Sequence, residues 1–385
     1  MKIDIDQRIH GIDALRGIAM LLGILLHATI AYKTEPLPTW PHDKGYTHQV
    51  FDYLYFFLHS FRMPLFFLIA GYFCRFLIYR IGEKAFAIHR AKRILVPFVA
   101  SMIFILPLTI FPFLVYRFGY LGDKEQVLKA SFDRLFGWNG MAHLWFLYFL
   151  LIYYVITLLL FRIVKRQPSN LSSMESSVSK PDFGLDNLGA VLLSAIPLAF
   201  ILSFVPEMFL HVDTGIIPGI PYLSFFGYFF LAGWIIQRKA SLVFSWMASR
   251  TWLLLACGVV LSVFLFWLEY SGRYQQITGI ERTGVKMLAA LQTVFLVFGF
   301  TGFFLRFWQS ESKLWKYISD ASYWMYLIHL GLVAGGQVLL IGVEMNGLLK
   351  FGIIFLGTMA VTLITYHYFV RYTFIGNWLH GKRQK

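Results

Sequence analysis

The first apolar segment of the chain, DALRGIAMLLGILLH from Asp13 to His27, carries charge where a membrane helix usually avoids it. Ten residues separate Arg16 from His27, which on a helix puts them on nearly the same face, about 16 Å apart along the axis. Met20 and Gly23 lie on the same stripe. A charged side chain inside a bilayer is costly and usually marks a site in a bundle interior. The alternative is that both residues only reach for opposite membrane interfaces, but their common stripe, with space at Gly23, favours a functional pair.

The second apolar segment, FDYLYFFLHSFRMPLFFLIAGYF from Phe51 to Phe73, contains another arginine at depth. Arg62 lies roughly 16 Å from the start of the segment, close to the bilayer centre. Pro64 frees a backbone carbonyl, and His59 lies one turn from Arg62 on the same face. Either the carbonyls of a broken helix satisfy Arg62, or it faces a watery cavity that holds an anion or a polar substrate. The second interpretation is favoured.

Two more histidines fall within apolar segments. His143 opens the fourth segment, close to Trp145, and His329 lies near the middle of the ninth, on one face with Ser322 and Tyr326. A lone intramembrane histidine is usually structural, but several histidines together with buried arginines predict a polar cavity. Their spacing is not that of metal or haem ligands, and the sequence contains no P-loop, nucleophile elbow or dinucleotide fingerprint. We therefore expect no bound metal or cofactor.

A basic cluster precedes the third apolar segment. In HRAKRILVPF, which runs from His89 to Phe98, the cations are Arg90, Lys92 and Arg93. Such a cluster is either a determinant of membrane orientation or a site for the phosphates of a cytoplasmic ligand, to which arginine offers two parallel hydrogen bonds.

Long apolar helices must position these residues, and the amino-acid composition is that of a chain rich in such helices. Of 385 residues, 58% are hydrophobic and only 14% are charged, and the mean hydropathy is +0.63. A soluble chain of this length does not bury so much apolar surface. We predict an all-α, polytopic membrane bundle of about ten transmembrane helices, with a single domain over 1–385. The expected spans are about 12–32, 51–79, 94–117, 141–163, 187–210, 221–237 (short), 251–271, 285–306, 321–342 and 349–371.

The polar segments between the apolar ones predict how the chain is oriented in the membrane. Most of the 34 Lys and Arg residues fall in alternate loops, which puts both termini in the cytoplasm, so the net charge of +14 indicates membrane orientation rather than nucleic-acid binding. A stretch rich in Ser and Asn at 167–186 predicts a flexible cytoplasmic loop. Cys74 and Cys257 are expected to be small hydrophobes rather than disulfide or metal ligands. The outer loops at 33–50 and 118–140 suit either sugar binding or an interfacial belt through Trp40, His42, His48, Trp138 and Asn139.

Several of these motifs resemble the signature of the integral-membrane acyltransferase family 3. The pair of Arg16 and His27, with ten residues between them, is similar to the first-span motif of that family. The sequences RMPLFF at 62–67 and AGYF at 70–73 resemble its second-span motif, with Ala70 where serine is common.

The resemblance extends from residue 10 to about 335. Arg93 with Pro97 is similar to the basic entry of the family's third span, and the stretch from Ser322 to His329 resembles its late Tyr-Leu-x-His motif. The sequences HSFRM at 59–63 and HLWFL at 143–147 look closest to the glucan biosynthesis protein C branch.

The resemblance implies a membrane O-acyltransferase of the bacterial inner membrane. It would move an acetyl or succinyl group from a cytoplasmic acyl-CoA co-substrate to a hydroxyl of an extracytoplasmic carbohydrate or glycolipid, and the branch implies succinylation of periplasmic glucans. His27 would take the proton of the acceptor or accept the acyl group itself, and Arg62 would stabilise the oxyanion. The donor phosphates would be bound by Arg16, Arg90 and Arg93. The supporting residues would be His59, His143, Trp145, Tyr326 and His329.

Alternatives stay open. A carrier or flippase for a sugar or a lipid-linked sugar would also place polar residues at mid-membrane, and a structural subunit would tolerate their loss. No carboxylate partner of His27 is evident, because Asp13 is about 21 Å away along the helix, while Asp52 and Glu269 lie on other spans. The acyl group, the acceptor glycan, a covalent acyl-histidine step and the oligomeric state are not decided by these patterns.

Overall fold

A computed structural model describes residues 10–137, 140–165, 187–210 and 212–381, and within these ranges the regular elements are all helices. They are α1 His10–Thr29, α2 Gln49–Ile81, α3 Glu83–Arg90, α4 Val96–Phe118, α5 Lys124–Arg134, α6 Trp145–Lys165, α7 Leu188–Leu202, α8 Ile220–Gln237, α9 Ala240–Tyr270, α10 Arg273–Gln276, α11 Gly279–Phe307, α12 Lys313–Leu340, α13 Gly347–Thr365 and α14 Phe374–Leu379. Turns of π-helix at Ala91–Leu95 and Tyr366–Val370 follow α3 and α13. The predicted loop at 167–186 lies outside the described residues, as do Trp138 and Asn139.

The predicted membrane bundle is confirmed. Within the described ranges, nine helical stretches are long and apolar enough to cross a bilayer. One of them is α8, which corresponds to the short sixth predicted span, and another is the continuous stretch Glu83–Leu121, which contains α3, the π turn and α4. Cys74 and Cys257 are both free thiols, in α2 and α9.

The fifth predicted span, 187–210, contains a shorter helix than the sequence indicated. α7 has 15 residues and is therefore about 22 Å long, less than the roughly 30 Å of a hydrocarbon core. It ends at Leu202 because Pro206 has no N–H to donate to the Leu202 carbonyl. The buried ammonium group of Lys286 instead donates hydrogen bonds to the carbonyls of Leu202, Val205 and Glu207. A hydropathy window extends across this end, because apolar residues such as Phe204, Val205 and Met208 follow it.

α1 lies at the centre of the bundle. It packs against α2, α11, α12 and α13, and its apolar side chains form part of the main core. The core residues of α1 are Ile12, Ala14, Leu15, Ala19, Met20, Ile24, Leu26 and Ala28. Because protein surrounds this helix on several sides, its polar stripe faces other helices, as a charged stripe in a membrane helix is expected to do.

The helices α2 and α8 are in backbone contact through two glycines. A Cβ atom on Gly71 would lie 1.8 Å from the carbonyl oxygen of Phe230, and one on Gly233 would lie 1.9 Å from that of Leu68. Small residues that permit such an approach are characteristic of helix pairs in membranes, where packing replaces the hydrophobic effect as the force that joins helices.

The loop between α1 and α2 is folded back over the end of α1. Its anchor is a buried ion pair, in which Lys350 Nζ of α13 lies 2.6 Å from Asp43 Oδ2 and 3.7 Å from the centre of the Tyr46 ring. At the other end of the loop, Asp52 accepts hydrogen bonds from both the amide and the hydroxyl group of Thr34. These contacts hold the loop, and with it Trp40, against the bundle.

Two of the loop histidines have structural partners. His48 Nδ1 accepts a hydrogen bond from the amide of Val50 and so caps α2, and His42 Nε2 donates to the carbonyl of Lys33. Both side chains are therefore explained by the loop and the helix start, whereas Trp40 has a different environment, described below.

The contact between α2 and α8 predicts the effect of a single methyl group. We expect Gly233→Ala to destabilise the protein by about 1–3 kcal/mol, because the added Cβ must push two helix backbones apart. The matched control is Gly357→Ala in α13, where a Cβ would meet nothing within 4 Å. Thermal unfolding in nanodiscs should show a lower midpoint for Gly233→Ala and an unchanged or higher one for Gly357→Ala. Equal midpoints would contradict the packing described here.

Candidate active site

A single cavity of about 660 Å³ contains every site residue predicted from the sequence. Its walls come from α1, α2, α6 and α12, from the region joining α3 to α4, and from loop residues such as Trp40 and Thr214. The predicted residues on these walls are Arg16, His27, His59, Arg62, Arg90, Arg93, His143, Trp145, Tyr326 and His329. The structure therefore brings together residues from distant parts of the chain, while their chemical roles stay predictions.

One end of the cavity, the Arg93 end, is cationic. It is lined by Arg16, His89, Arg90 and Arg93, together with Leu77 near the end of α2. The guanidinium group of Arg90 lies over the rings of Phe86 and Tyr154, 5.2 and 5.1 Å from their centres. Arg90 and Arg93 flank the start of the π turn that follows α3, a local departure from α-helix that is frequent at functional sites. This end offers several cations to an anionic ligand.

Arg62 lines the cavity beside Gly23 of α1. This side chain is only 9% exposed, and a Cβ on Gly23 would lie 2.5 Å from its Nη1 atom. The predicted space at Gly23 is thus filled by a guanidinium group. Within the part of the chain that the structure describes, Arg62 makes no hydrogen bond or ion pair, and its Nε atom is buried without a partner. A buried cation in this condition favours an anionic or polar ligand.

His27 lies at the other end, the Trp40 end. Its ring is stacked on the Trp40 ring, with centroids 5.6 Å apart and planes 10° apart, and the His329 centroid is 5.3 Å away. Asp13 is too distant along α1 to contact this ring, and the other two carboxylates weighed against it, Asp52 and Glu269, lie on other helices. Asp52 bonds instead to Thr34, and no contact of Glu269 with His27 is present among the described residues.

His143 and His329 are held in defined tautomers. Because a carbonyl can only accept, His143 Nε2 must donate its proton to Leu327 O, at 2.9 Å, and His329 Nδ1 to Tyr326 O, at 2.8 Å. The second nitrogen of each ring is buried and without a partner among the described residues. The hydroxyl group of Tyr326 donates to the carbonyl of His143, at 2.5 Å, so towards a ligand it can act only as an acceptor.

The remaining predicted residues support the walls. His59 Nε2 donates to the carbonyl of Leu210, at 3.1 Å, and ties α2 to the segment after α7. Trp145 is 4% exposed and packs against Phe149 and Phe226, at centroid distances of 5.2 and 5.1 Å. Trp145 therefore packs into the aromatic core and also lines the cavity.

Strained backbone occurs at two wall positions of the Trp40 end. Thr39 and Ala142 have φ angles of 66° and 44°, and they are the described non-glycine residues with positive φ. Both line the cavity, and each directly precedes a ring of this end, Trp40 or His143. Such strain costs energy and persists where surrounding contacts impose it, often at functional sites.

Comparison with known proteins identifies relatives of this chain. A family model described as the acyltransferase 3 domain matches residues 9–367. Glucans biosynthesis protein C of Escherichia coli strain SMS-3-5 and that of strain K12 are each 30% identical over 190 residues, which is 49% of this chain and 46% of the relative. The aligned stretch thus spans less than half the length of these curated relatives. No solved structure gives a significant match.

The cavity predicts chemical access from both faces of the membrane. Thr39 and Leu77 line its opposite ends, so in a variant with Cys74 and Cys257 replaced by alanine, Thr39→Cys and Leu77→Cys should react with an impermeant maleimide from opposite sides of sealed vesicles. Phe104→Cys, at an exposed apolar position of α4, should react from neither side. Labelling of Thr39→Cys and Leu77→Cys from the same side would contradict the arrangement.

Proposed function

This chain belongs to the acyltransferase 3 family, and from that premise we propose that it transfers an acyl group from a coenzyme A thioester to a hydroxyl group of a glycan on the opposite side of the membrane. Acyl-CoA is its co-substrate in this proposal, and the protein resides in the inner membrane of a bacterium. The Arg93 end of the cavity faces the cytoplasm.

The observation that carries the proposal is that one cavity joins a cationic end to an imidazole-rich end. Arg16 and His27 stand at these two ends on one helix, about 16 Å apart. The phosphates of coenzyme A suit the arginines at the first end, because arginine matches phosphate oxygens with two parallel hydrogen bonds. The thioester arm then extends past Arg62 towards His27, where the acceptor hydroxyl enters from the other face.

The reaction needs a base and a place for negative charge. His27 takes the proton of the acceptor hydroxyl, and the resulting oxygen attacks the thioester carbonyl. Arg62 stabilises the oxyanion of the tetrahedral intermediate, a role that suits a cation held in place by the protein. Collapse of the intermediate breaks the carbon–sulfur bond and forms the ester, and the proton held by His27 passes to the leaving thiolate. Free coenzyme A and an O-acylated glycan are the products.

The acceptor is a glucan in this proposal. Support comes from the name of the relatives, which concerns glucan biosynthesis.

The proposal is tested by turnover in nanodiscs. With acetyl- or succinyl-coenzyme A and a soluble glucan oligosaccharide, the wild type should release free coenzyme A and acylate the glucan. His27→Ala should lower kcat by roughly 100-fold or more, because the base is lost. Arg16→Ala should raise the KM of the donor, because a phosphate contact is lost.

A geometric variant tests the place of Arg62. Gly23→Ala adds one methyl group 2.5 Å from Arg62 Nη1, so it should displace the guanidinium group and lower kcat while the protein stays folded. Gly357→Ala is again the matched control and should turn over like the wild type. If His27→Ala and Gly23→Ala both retain full activity, the assignment of the site is wrong. If neither the wild type nor His27→Ala acylates the glucan, and both carry glucan across the membrane of sealed vesicles, the carrier alternative replaces the proposal.

A further inference from the structure

A glutamine buried in α12 connects two parts of the Trp40 end. Gln337 is 1% exposed, and its amide group is fully used. Gln337 Nε2 donates to the carbonyl oxygen of His27, at 2.9 Å, and to that of Ala28, at 3.3 Å. Gln337 Oε1 accepts the indole hydrogen of Trp40, with Nε1 at 2.8 Å. One side chain therefore holds both the backbone of His27 and the ring that covers it.

Trp40 is fixed on several sides. Its face lies against the His27 ring, its neighbour Phe113 meets it at a centroid distance of 5.0 Å with planes 82° apart, and Gln337 fixes its polar edge. The positive φ of Thr39 directs the loop backbone immediately before it. With two rotatable side-chain bonds and these three contacts, the indole has little freedom to leave the His27 ring.

We propose that Gln337 is a positioning residue for the His27 base, and that the indole it holds does for this histidine what a carboxylate does in a Ser-His-Asp triad. In such a triad the third group fixes the imidazole and stabilises the imidazolium that forms when the proton is taken. The π face of tryptophan attracts a cation within about 6 Å of its centre, and the two rings here are 5.6 Å apart. This inference rests on the proposed acyl transfer, because it concerns the base of that reaction.

The charged neighbours of His27 do not stabilise an imidazolium at this position. Its titratable neighbours are Arg62, His329, His143 and His59, none of which can compensate a positive charge. Asp52, which could, bonds to Thr34. The Trp40 indole presents its π face to the His27 ring and so attracts an imidazolium.

Simple packing does not account for Gln337. An apolar side chain fills a buried position in a membrane bundle without the cost of burying an amide, whereas polar side chains persist where they join helices through hydrogen bonds. Gln337 is absent from the cavity wall, so it does not touch a substrate there. Its influence on the reaction must pass through His27 and Trp40.

The kinetic test uses the nanodisc assay with acetyl- and succinyl-coenzyme A and a glucan oligosaccharide. Gln337→Met should lower kcat, by up to roughly 100-fold for a displaced catalytic group, and should leave both KM values within about twofold of wild type. The matched control is Gln292→Met, since Gln292 is also a buried helix glutamine, bonded to Ser60 away from the cavity wall. It should retain the kcat of the wild type.

The pair of residues should act together. Trp40→Phe keeps an aromatic face but loses the indole donor, so it should retain more activity than Trp40→Leu. In the Trp40→Phe background, Gln337→Met should cost less than in the wild type, because one of its contacts is already absent. Fully additive losses, or a raised acceptor KM with unchanged kcat in Gln337→Met, would overturn the proposal.

A readout independent of turnover separates this inference from the proposed function. With 5-fluorotryptophan in the protein, the ¹⁹F signal lost in Trp40→Phe identifies Trp40. That signal should shift or broaden in Gln337→Met and in His27→Ala, and stay unchanged in Gln292→Met. An unchanged signal in Gln337→Met would show that Gln337 does not position the Trp40 indole, even if acyl transfer is active. Conversely, if the signal shifts in Gln337→Met while the wild type turns over neither donor, that result would refute the acyl transfer and support the positioning of Trp40 by Gln337.

Discussion

An arginine buried among membrane helices, with no anionic partner among the described residues, is the constraint on which the rest of this structure depends. Removal of a guanidinium group from water is expensive in a bilayer, and Arg62 lies deep in α2 against the bare backbone at Gly23. The bundle accommodates it on the wall of a cavity rather than within the close-packed core. The cationic residues at one end and the imidazoles at the other belong to the wall of the same cavity.

Three buried cations differ in their bonding partners, and the difference separates structural residues from a candidate site residue. Lys350 is paired with Asp43 and anchors the loop that carries Trp40. Lys286 donates to three backbone carbonyls and shapes the end of α7. Both ammonium groups are satisfied within the protein, and both act on backbone shape. Arg62 has neither kind of partner, and it alone of the three lines the cavity, which is the arrangement expected when the partner is a ligand.

The sequence predicted the features that depend on local patterns. The apolar runs located the helices, and the helical spacing of Arg16 and His27, with Arg62 at depth in the next span, identified side chains that do share one cavity. The periodicity of a helix and the cost of a charge in a bilayer are sufficient for that, because neither depends on distant parts of the chain.

The features that were missed depend on tertiary contacts. The turn after α7 is held by Lys286 from a distant helix, and Trp40 covers His27 because the loop is anchored by Lys350. Gln337 contacts His27 across most of the chain length. A signal for Gln337 was present, as an amide in an otherwise apolar span, but its partners could not be read from spacing. The positive φ angles of Thr39 and Ala142 could not be predicted from the sequence, because neither residue type favours that conformation.

The most direct test of the account is a sided transfer assay in proteoliposomes of known orientation. Acyl-CoA and a glucan oligosaccharide, neither of which crosses the bilayer, are supplied on the same side or on opposite sides. Acylated glucan should form only when the donor is on the side of the Arg93 end and the glucan is on the side of the Trp40 end. Equal product with both substrates on one side would contradict transfer through the cavity.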